Sequence, residues 1–189
     1  MDGLDARALL TDSERLRRRA HADRHPSSVP LLVFAYLTLF GAPLAVARLW
    51  PLGQVYWLVA GPAGFLFVAW WYRRQQARSG VGQGRGSYVA AGVAVLAVLL
   101  VVPVLWHGPL AAVAAGLLAM AALQRNAYLA AFAAVFGVLG ALADFLVLSN
   151  RLADAGLGGE LGQPVVYGAL GLLLLVGGLV ARHREDNPR

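Results

Sequence analysis

Six long apolar stretches constrain this chain more than any other feature of its sequence. They are residues 29–47, 54–72, 86–106, 109–124, 127–148 and 162–181, and only the fifth contains a charged residue. About 20 helical residues cross a hydrocarbon core of ~30 Å, and backbone amides in lipid must be satisfied within their own segment. The stretches lack the alternating pattern of a membrane β-strand. The pattern predicts an all-α integral membrane bundle of six transmembrane helices, the fourth being the shortest.

The composition excludes a soluble domain. Hydrophobic residues make up 59% of the chain and charged residues only 14%, whereas soluble domains carry about 25% charged residues. The chain has no cysteine, which excludes disulfides, thiolate metal sites and cysteine nucleophiles.

The arginines predict the orientation of the spans. With the N-terminus inside, fourteen of the sixteen arginines lie on the cytoplasmic side, and only Arg48 and Arg151 lie outside. Positive residues favour the cytoplasmic side of a membrane, so both termini are predicted to be cytoplasmic. Residues 1–28 then form a cytosolic basic arm, residues 29–181 the membrane domain and residues 182–189 a cytosolic tail. We expect a multi-pass protein of the bacterial plasma membrane.

The tryptophans support the same map. All five fall at predicted span ends or in adjoining loops, with Trp50, Trp57 and Trp106 outside and Trp70 and Trp71 inside. Indole rings favour the headgroup region of a bilayer. We therefore expect the five rings to act as interfacial anchors.

The N-terminal arm carries its own pattern. Thr11 and Glu14 have the spacing of a capping box, and the residues that follow favour a short amphipathic helix. This arm contains six arginines and five acidic residues. The near balance of charge excludes nucleic-acid binding, because that needs an uncompensated basic surface. The arm is either a solvated segment that fixes topology or, through residues 1–25, a docking site for a cytosolic protein partner.

No catalytic pattern occurs in the sequence. The four histidines lie outside the predicted spans, and neither H-E-x-x-H nor G-x-S-x-G is present. We therefore predict no catalytic site, no cofactor and no metal site.

Asp144 is the one acidic residue within a predicted span. It lies four residues before the predicted outer end at Leu148, a distance of roughly 6 Å along a helix. A charge at the membrane centre costs roughly 2.5–3.5 kcal/mol on insertion scales, and less near the interface. Candidate partners at the outer face are Arg48, His107 and Arg151. Two roles of Asp144 stay open: a structural carboxylate at the interface, or a site for a proton or cation.

The second predicted span contains the helix-breaking sequence GPAG at its centre. Pro62 removes one amide from the helix ladder and favours a kink, and Gly61 and Gly64 flank it. Tyr36 and Thr38 lie at similar depth in the first span. The group is either a packing kink or part of a substrate site, because transporters build such sites from interrupted helices. A central G-x-x-G in the fifth span leaves open whether the two halves are inverted repeats.

Two segments carry a resemblance to known proteins. ARALLTDSERLRRR (residues 6–19) and YWLVAGPAGFLFVAWWYRR (residues 56–74) resemble segments of uncharacterised multi-pass integral membrane proteins of actinobacteria. The resemblance covers about the first 75 residues and implies membrane location, but it carries over no functional residue. Some of those proteins are encoded beside small winged-helix transcription regulators, and such a neighbour here would favour a regulatory role.

Two functions follow as hypotheses. The first is a non-enzymatic multi-pass membrane protein with a regulatory or envelope-related role through its cytosolic arm. The alternative is a small permease or exporter with a kinked second span and Asp144 as its ion-coupled carboxylate. The lipid bilayer is the expected partner in both cases, and the sequence leaves homo-oligomerisation open.

Overall fold

A computed structural model describes the chain over residues 26–45, 49–79, 87–101, 109–144 and 162–187. These residues form six α-helices and no strand, which confirms the predicted all-helical fold. A short 3-10 helix, Ala42–Ala45, follows the first helix. The six helices are α1 Ser28–Gly41, α2 Trp50–Ser79, α3 Ser87–Val101, α4 Pro109–Leu123, α5 Ala127–Asp144 and α6 Gly162–Asp186.

Four helical segments are long and apolar enough to cross a membrane. They are Ser28–Ala45, Leu52–Gln75, Ala127–Asp144 and Gly162–Asp186. The apolar parts of α3 and α4 are shorter, Tyr88–Leu100 and Pro109–Leu123. A 15-residue helix such as α4 rises only ~22 Å, against a hydrocarbon core of ~30 Å. The chain therefore has the character of a membrane protein, and two of its helices are short for their surroundings.

Consecutive helices pack antiparallel to one another. At one end of the bundle, Tyr72 near the end of α2 contacts Tyr88 at the start of α3. The last helix also packs antiparallel to the first, because Gly171 lies against Leu39 and Gly178 lies against Leu32. The start of α1 and the end of α6 therefore share one end of the bundle, here named the Glu185 end. The opposite end, where α5 finishes and α4 begins, is named the Asp144 end.

The interior is filled with apolar side chains, and much of the exterior is apolar as well. Phe34, Phe65 and Phe136 are fully buried between helices, whereas Phe40 and Leu123 are exposed on the outside. Lipid tails are as apolar as leucine, so helix association in a membrane depends on close packing and not on a hydrophobic driving force. An apolar exterior around a packed interior is the arrangement expected of a bundle embedded in lipid.

Glycines bring α6 into close contact with α1. A Cβ atom at Gly171 would lie 2.6 Å from Cγ of Leu39, and one at Gly178 would lie 2.8 Å from Cγ of Leu32. The two glycines are seven residues apart and lie on one face of α6. Small residues of this kind let helix backbones approach closely in membranes. This face was not apparent in the sequence analysis.

The turn between α4 and α5 is stabilised by its own residues. Arg125 has a positive φ of 52°, and a left-handed residue commonly ends a helix. The amide of Asn126 donates to the Ala121 carbonyl at 2.9 Å. Its Oδ1 atom in turn accepts the Leu129 amide at 3.0 Å, so Asn126 caps the N-terminus of α5.

Trp57 differs from the predicted interfacial anchors. Its side chain is only 2% exposed and packs where α1 ends, with Cζ2 at 3.4 Å from the Cβ position of Gly41. Trp57 therefore belongs to the packed interior of the Asp144 end. Trp70 and Trp71 remain exposed at the Glu185 end, as an interfacial position requires.

Candidate functional site

Three acidic residues occur in the part of the chain that the structure describes: Asp144, Glu185 and Asp186. Asp186 forms an exposed ion pair with Arg182 one turn earlier in α6, at 3.9 Å. The other two carboxylates bind the N-terminus of a helix that is distant in sequence. These two cross-helix caps are the most specific polar features of the described fold.

Asp144 lies at the end of α5 and is only 7% exposed. Its Oδ2 atom accepts the backbone amide of Leu110 at 3.0 Å. Its Oδ1 atom accepts the hydroxyl of Tyr167 at 2.5 Å, and the amide of Ala111 also interacts with the carboxylate. One side chain thus joins α5 to the start of α4 and to the first turns of α6.

The start of α4 explains why a carboxylate is placed there. Pro109 is the first helical residue and has no N–H, so it leaves no donor unsatisfied. Leu110 and Ala111 follow, and the amides of a first helical turn have no partner within their helix. An anion at this position satisfies those amides and lies at the positive end of the helix dipole.

The short length of α4 increases the need for this cap. If the turn after Leu123 lies at one interface, a rise of ~22 Å leaves the start of α4 several ångströms below the other interface. An unsatisfied amide in hydrocarbon costs several kcal/mol. The burial of Asp144 therefore has a structural reason, because the carboxylate satisfies a helix end that the bundle itself covers.

The predicted partners of Asp144, namely Arg48, His107 and Arg151, lie outside the described residues. Their pairing with Asp144 remains a prediction. The partner that the structure does bring to Asp144 is Tyr167, which sequence reasoning missed. A usable signal was present, because a tyrosine near the outer start of the sixth span has a polar tip that needs a partner when buried.

Glu185 forms the second cross-helix cap at the opposite end of the bundle. Its Oε1 atom accepts the Ser28 amide at 3.2 Å and the Ser27 hydroxyl at 3.3 Å, while Oε2 accepts the Ser28 hydroxyl at 2.5 Å. Ser27 occupies the N-cap position of α1 but makes no capping hydrogen bond with its own side chain. Glu185 of α6 therefore supplies the acceptor that this helix start requires.

Pro26, Ser27 and Ser28, here called the arm junction, connect residues 1–25 to the bundle. Besides the contacts with Glu185, the Tyr72 hydroxyl donates to the Pro26 carbonyl at 2.6 Å. The Tyr72 ring packs against Tyr88 with centroids 5.2 Å apart. Gln124 in turn donates to the Tyr88 hydroxyl at 2.7 Å. The arm junction is thus held by α6 and α2, and through them it is linked to α3 and to the end of α4.

The structure separates Tyr36 and Thr38. Tyr36 is 54% exposed on the outer surface of α1, whereas Thr38 is fully buried. The Thr38 hydroxyl donates to the carbonyl of Phe34 in its own helix at 2.7 Å. Residues two apart on a helix do not face each other, so the two side chains do not form a joint site.

The GPAG segment is a contact point between helices. The described α2 is one α-helix of 30 residues with Pro62 inside it. A Cβ atom at Gly64 would lie 2.8 Å from Leu37 of α1, and one at Gly61 would lie 3.2 Å from Val113 of α4. The Pro62 carbonyl lies 3.3 Å from the Cβ position of Gly92 in α3. The segment therefore allows α2 to pack closely against three neighbouring helices.

Among the histidine, aspartate and glutamate residues of the described part of the chain, no group of three or more is placed to hold a metal ion. Comparisons with protein-family models, with curated proteins and with solved structures found no match for this chain. The two caps, the arm junction and the distribution of charge are therefore the features that bear on function.

Proposed function

We propose that the chain is a six-span protein of the bacterial plasma membrane, with both termini in the cytosol, that acts without catalysis as a regulatory membrane protein. The antiparallel order of all six helices supports an even number of crossings. The distribution of charge supports the orientation, since all arginines of the described residues lie at the Glu185 end and positive residues favour the cytosol. They are residues 73, 74, 78, 125, 182 and 184.

The observation that carries the regulatory role is the way the arm junction is held. Glu185 at the end of α6 and Tyr72 near the end of α2 both bind it. A shift of α6 relative to α1 changes these hydrogen bonds directly. A change in the bundle then reaches the point at which residues 1–25 join it, and a membrane domain is able to pass a change to a cytosolic partner in this way.

The charge of the arm suits a protein partner. Residues 1–25 carry both arginines and acids in nearly equal numbers, which favours a mixed-charge protein surface over nucleic acid. Leu9, Leu16 and Ala20 provide an apolar stripe at helical spacing. Such a segment docks as a helix in a groove of its partner.

A truncation tests the regulatory role. Removal of residues 1–25 is expected to abolish complementation of a strain that lacks the gene, while the protein remains inserted and folded. Glu185→Ala is expected to weaken complementation in the full-length chain, and Asp186→Ala serves as the matched control because its carboxylate is exposed and adjacent. Full complementation by the truncated protein contradicts the proposal.

Reporter fusions test the topology separately. Fusions after Arg78 and after Arg125 are expected to report from the cytosol, and a fusion after Ala45 is expected to report from the outer side. A periplasmic signal at either arginine contradicts the six-span map. This result is independent of complementation, so a failure of topology is distinguishable from a failure of the regulatory role.

A small permease is the second candidate, and the burial of Asp144 is the observation that favours it. Its described hydrogen-bond donors are the backbone amides of Leu110 and Ala111 and the Tyr167 hydroxyl, all neutral, so the site is able to hold a proton as well as a charge. Asp144→Asn discriminates well, because asparagine also caps helices and is expected to preserve the fold. Loss of ion-driven flux in reconstituted vesicles, with the fold intact, would favour the permease over the regulatory protein.

A further inference from the structure

The outer face of α2 carries a strip of aromatic rings that ends in an arginine. Phe67, Trp70 and Trp71 are 46%, 49% and 43% exposed, and Arg74 is exposed as well. Spacings of three, four and seven residues place all four on one side of the helix. We call this set the aromatic–arginine strip.

The members of the strip touch one another. The ring centroid of Phe67 lies 5.6 Å from that of Trp70 and 6.5 Å from that of Trp71. The guanidinium carbon of Arg74 lies 5.4 Å from the centre of the Trp70 ring. This is a cation–π distance, so the indole holds the guanidinium over its face and next to the apolar surface of the helix.

The strip lies where the apolar exterior meets the charged end of the bundle. Tyr72, within the same two turns of α2, is buried and reaches the arm junction. Going from Phe67 to Arg74 along the helix covers ~10 Å, from an apolar ring to a charged head. Tryptophan and arginine in this order suit the depth of the phospholipid headgroups.

The charge around the strip is not compensated along its own helix. The 30 residues of α2 contain no acidic residue. The acids at the same end of the described bundle have other partners, since Glu185 binds Ser27 and Ser28 and Asp186 pairs with Arg182. An anion from outside the protein therefore meets an exposed guanidinium that no acidic residue of its own helix neutralises.

We propose that the aromatic–arginine strip binds the headgroup of an anionic phospholipid such as phosphatidylglycerol. The Arg74 guanidinium forms paired hydrogen bonds with the phosphate, for which its planar fork is suited. The Trp70 and Trp71 indoles lie at the depth of the glycerol esters, and Phe67 packs against the first part of an acyl chain. The assignment rests on the membrane location in the proposed function, but not on its sidedness.

Lipid retention measured by native mass spectrometry tests this assignment. The full-length protein, purified in a mild detergent, is titrated with phosphatidylglycerol and separately with phosphatidylcholine. We expect preferential retention of phosphatidylglycerol, and Arg74→Gln is expected to weaken it about fivefold, which matches the attraction of one basic residue to an anionic lipid. Arg182→Gln is the matched control, because it removes another exposed arginine from the same end of the bundle, and this arginine is paired with Asp186.

Several outcomes overturn the proposal. Equal retention of the two lipids does so, as does unchanged retention in Arg74→Gln or an equal loss in Arg182→Gln. Displacement of the lipid by excess inorganic phosphate also does so, since the strip is assigned to a lipid and not to a free anion. Arg74→Lys keeps the charge but not the paired geometry, so intermediate retention supports the assignment and provides the test if Arg74→Gln does not fold. Because detergent has no sides, the result does not depend on the reporter fusions.

Discussion

At each end of the bundle, a carboxylate caps the start of a helix that is distant in sequence, Asp144 at one end and Glu185 at the other. At one end Asp144 is buried and binds an amide and a tyrosine hydroxyl. At the other end Glu185 is partly buried and binds one amide and two serine hydroxyls. Both satisfy the free amides of a distant helix start. The Asp144 side chain is buried within the bundle, whereas Glu185 is partly exposed beside the arm junction.

This difference indicates different roles. A cap inside the apolar layer has no alternative acceptor, so its loss leaves bare amides in hydrocarbon. A cap at the boundary competes with water, so it is able to open and close at small cost. We therefore expect Asp144 to act as an architectural cap and Glu185 to form an adjustable contact between the arm and the bundle.

Removal of the Asp144 carboxylate is expected to have the largest effect. Asp144→Ala leaves amides at the start of α4 and the Tyr167 hydroxyl without their acceptor, and it is expected to lower the free energy of unfolding by about 3 kcal/mol. Reversible unfolding in mixed micelles measures this change. The control is Asp186→Ala, expected to change stability by less than about 0.5 kcal/mol, as is usual for exposed pairs. Equal effects of the two substitutions would contradict a structural role for Asp144.

Disruption of the packing between α1 and α6 is expected to have the second-largest effect on stability. Gly171→Ala places a methyl group 2.6 Å from Leu39, and overpacking of this kind costs about 2 kcal/mol. The substitution is expected to loosen α1 from α6, and with it the Glu185 cap, while leaving the contact between Asp144 and Leu110 in place. Hydrogen exchange of the Ser28 and Leu110 amides measures both effects.

Gly168 supplies the control, since nothing lies within 4 Å of a Cβ built there. Gly168→Ala is expected to be neutral or slightly stabilising. If Gly168→Ala were as harmful as Gly171→Ala, the effect would reflect loss of glycine in α6 in general and not its contact with α1.

The Tyr167 hydroxyl is expected to contribute less than the whole Asp144 cap. Tyr167→Phe removes one hydrogen-bond donor from a buried carboxyl group and is expected to cost about 1.5 kcal/mol. A double-mutant cycle with Asp144→Asn measures the coupling between the two residues. Additive effects would show that the hydroxyl stabilises the fold independently of the carboxylate.

The Glu185 cap is expected to have the smallest effect on stability and a clear effect on mobility. Glu185→Ala is expected to cost about 1 kcal/mol, as does the loss of an ordinary N-cap. Hydrogen exchange in the first turn of α1 is expected to rise, with no change at Leu110. Faster exchange at both helix starts would contradict the independence of the two caps.

Local signals in the sequence predict part of this structure well. Helix α4 begins at Pro109 and α6 at Gly162, the residues where the fourth and sixth apolar stretches of the sequence begin, since charge-free apolar runs and proline punctuate helices. The Asn126 cap of α5 joins residues only three apart, so spacing is enough to find a contact of that kind. The exposed position of Trp70 and Trp71 also follows from composition and depth.

Other features of the structure could not be predicted from local signals in the sequence. The sequence places Trp57 where an interfacial anchor is expected. Its side chain is buried because it lies on the side of α2 that packs against α1. Tyr36 and Thr38 share a depth but point in different directions, which depends on where the neighbouring helices lie. Tyr167 was missed because its role depends on α6 packing beside α5.

The sequence by itself determined which segments are helical and apolar, because a chain in lipid must satisfy its amides within each segment. Only the tertiary structure decided which helix ends meet. Asp144 reaches an amide 34 residues away and Glu185 one 157 residues away, and no local pattern encodes such pairs. The physical reason is that a cross-helix cap depends on the order and contact of packed helices, whereas a local cap depends only on spacing along the chain.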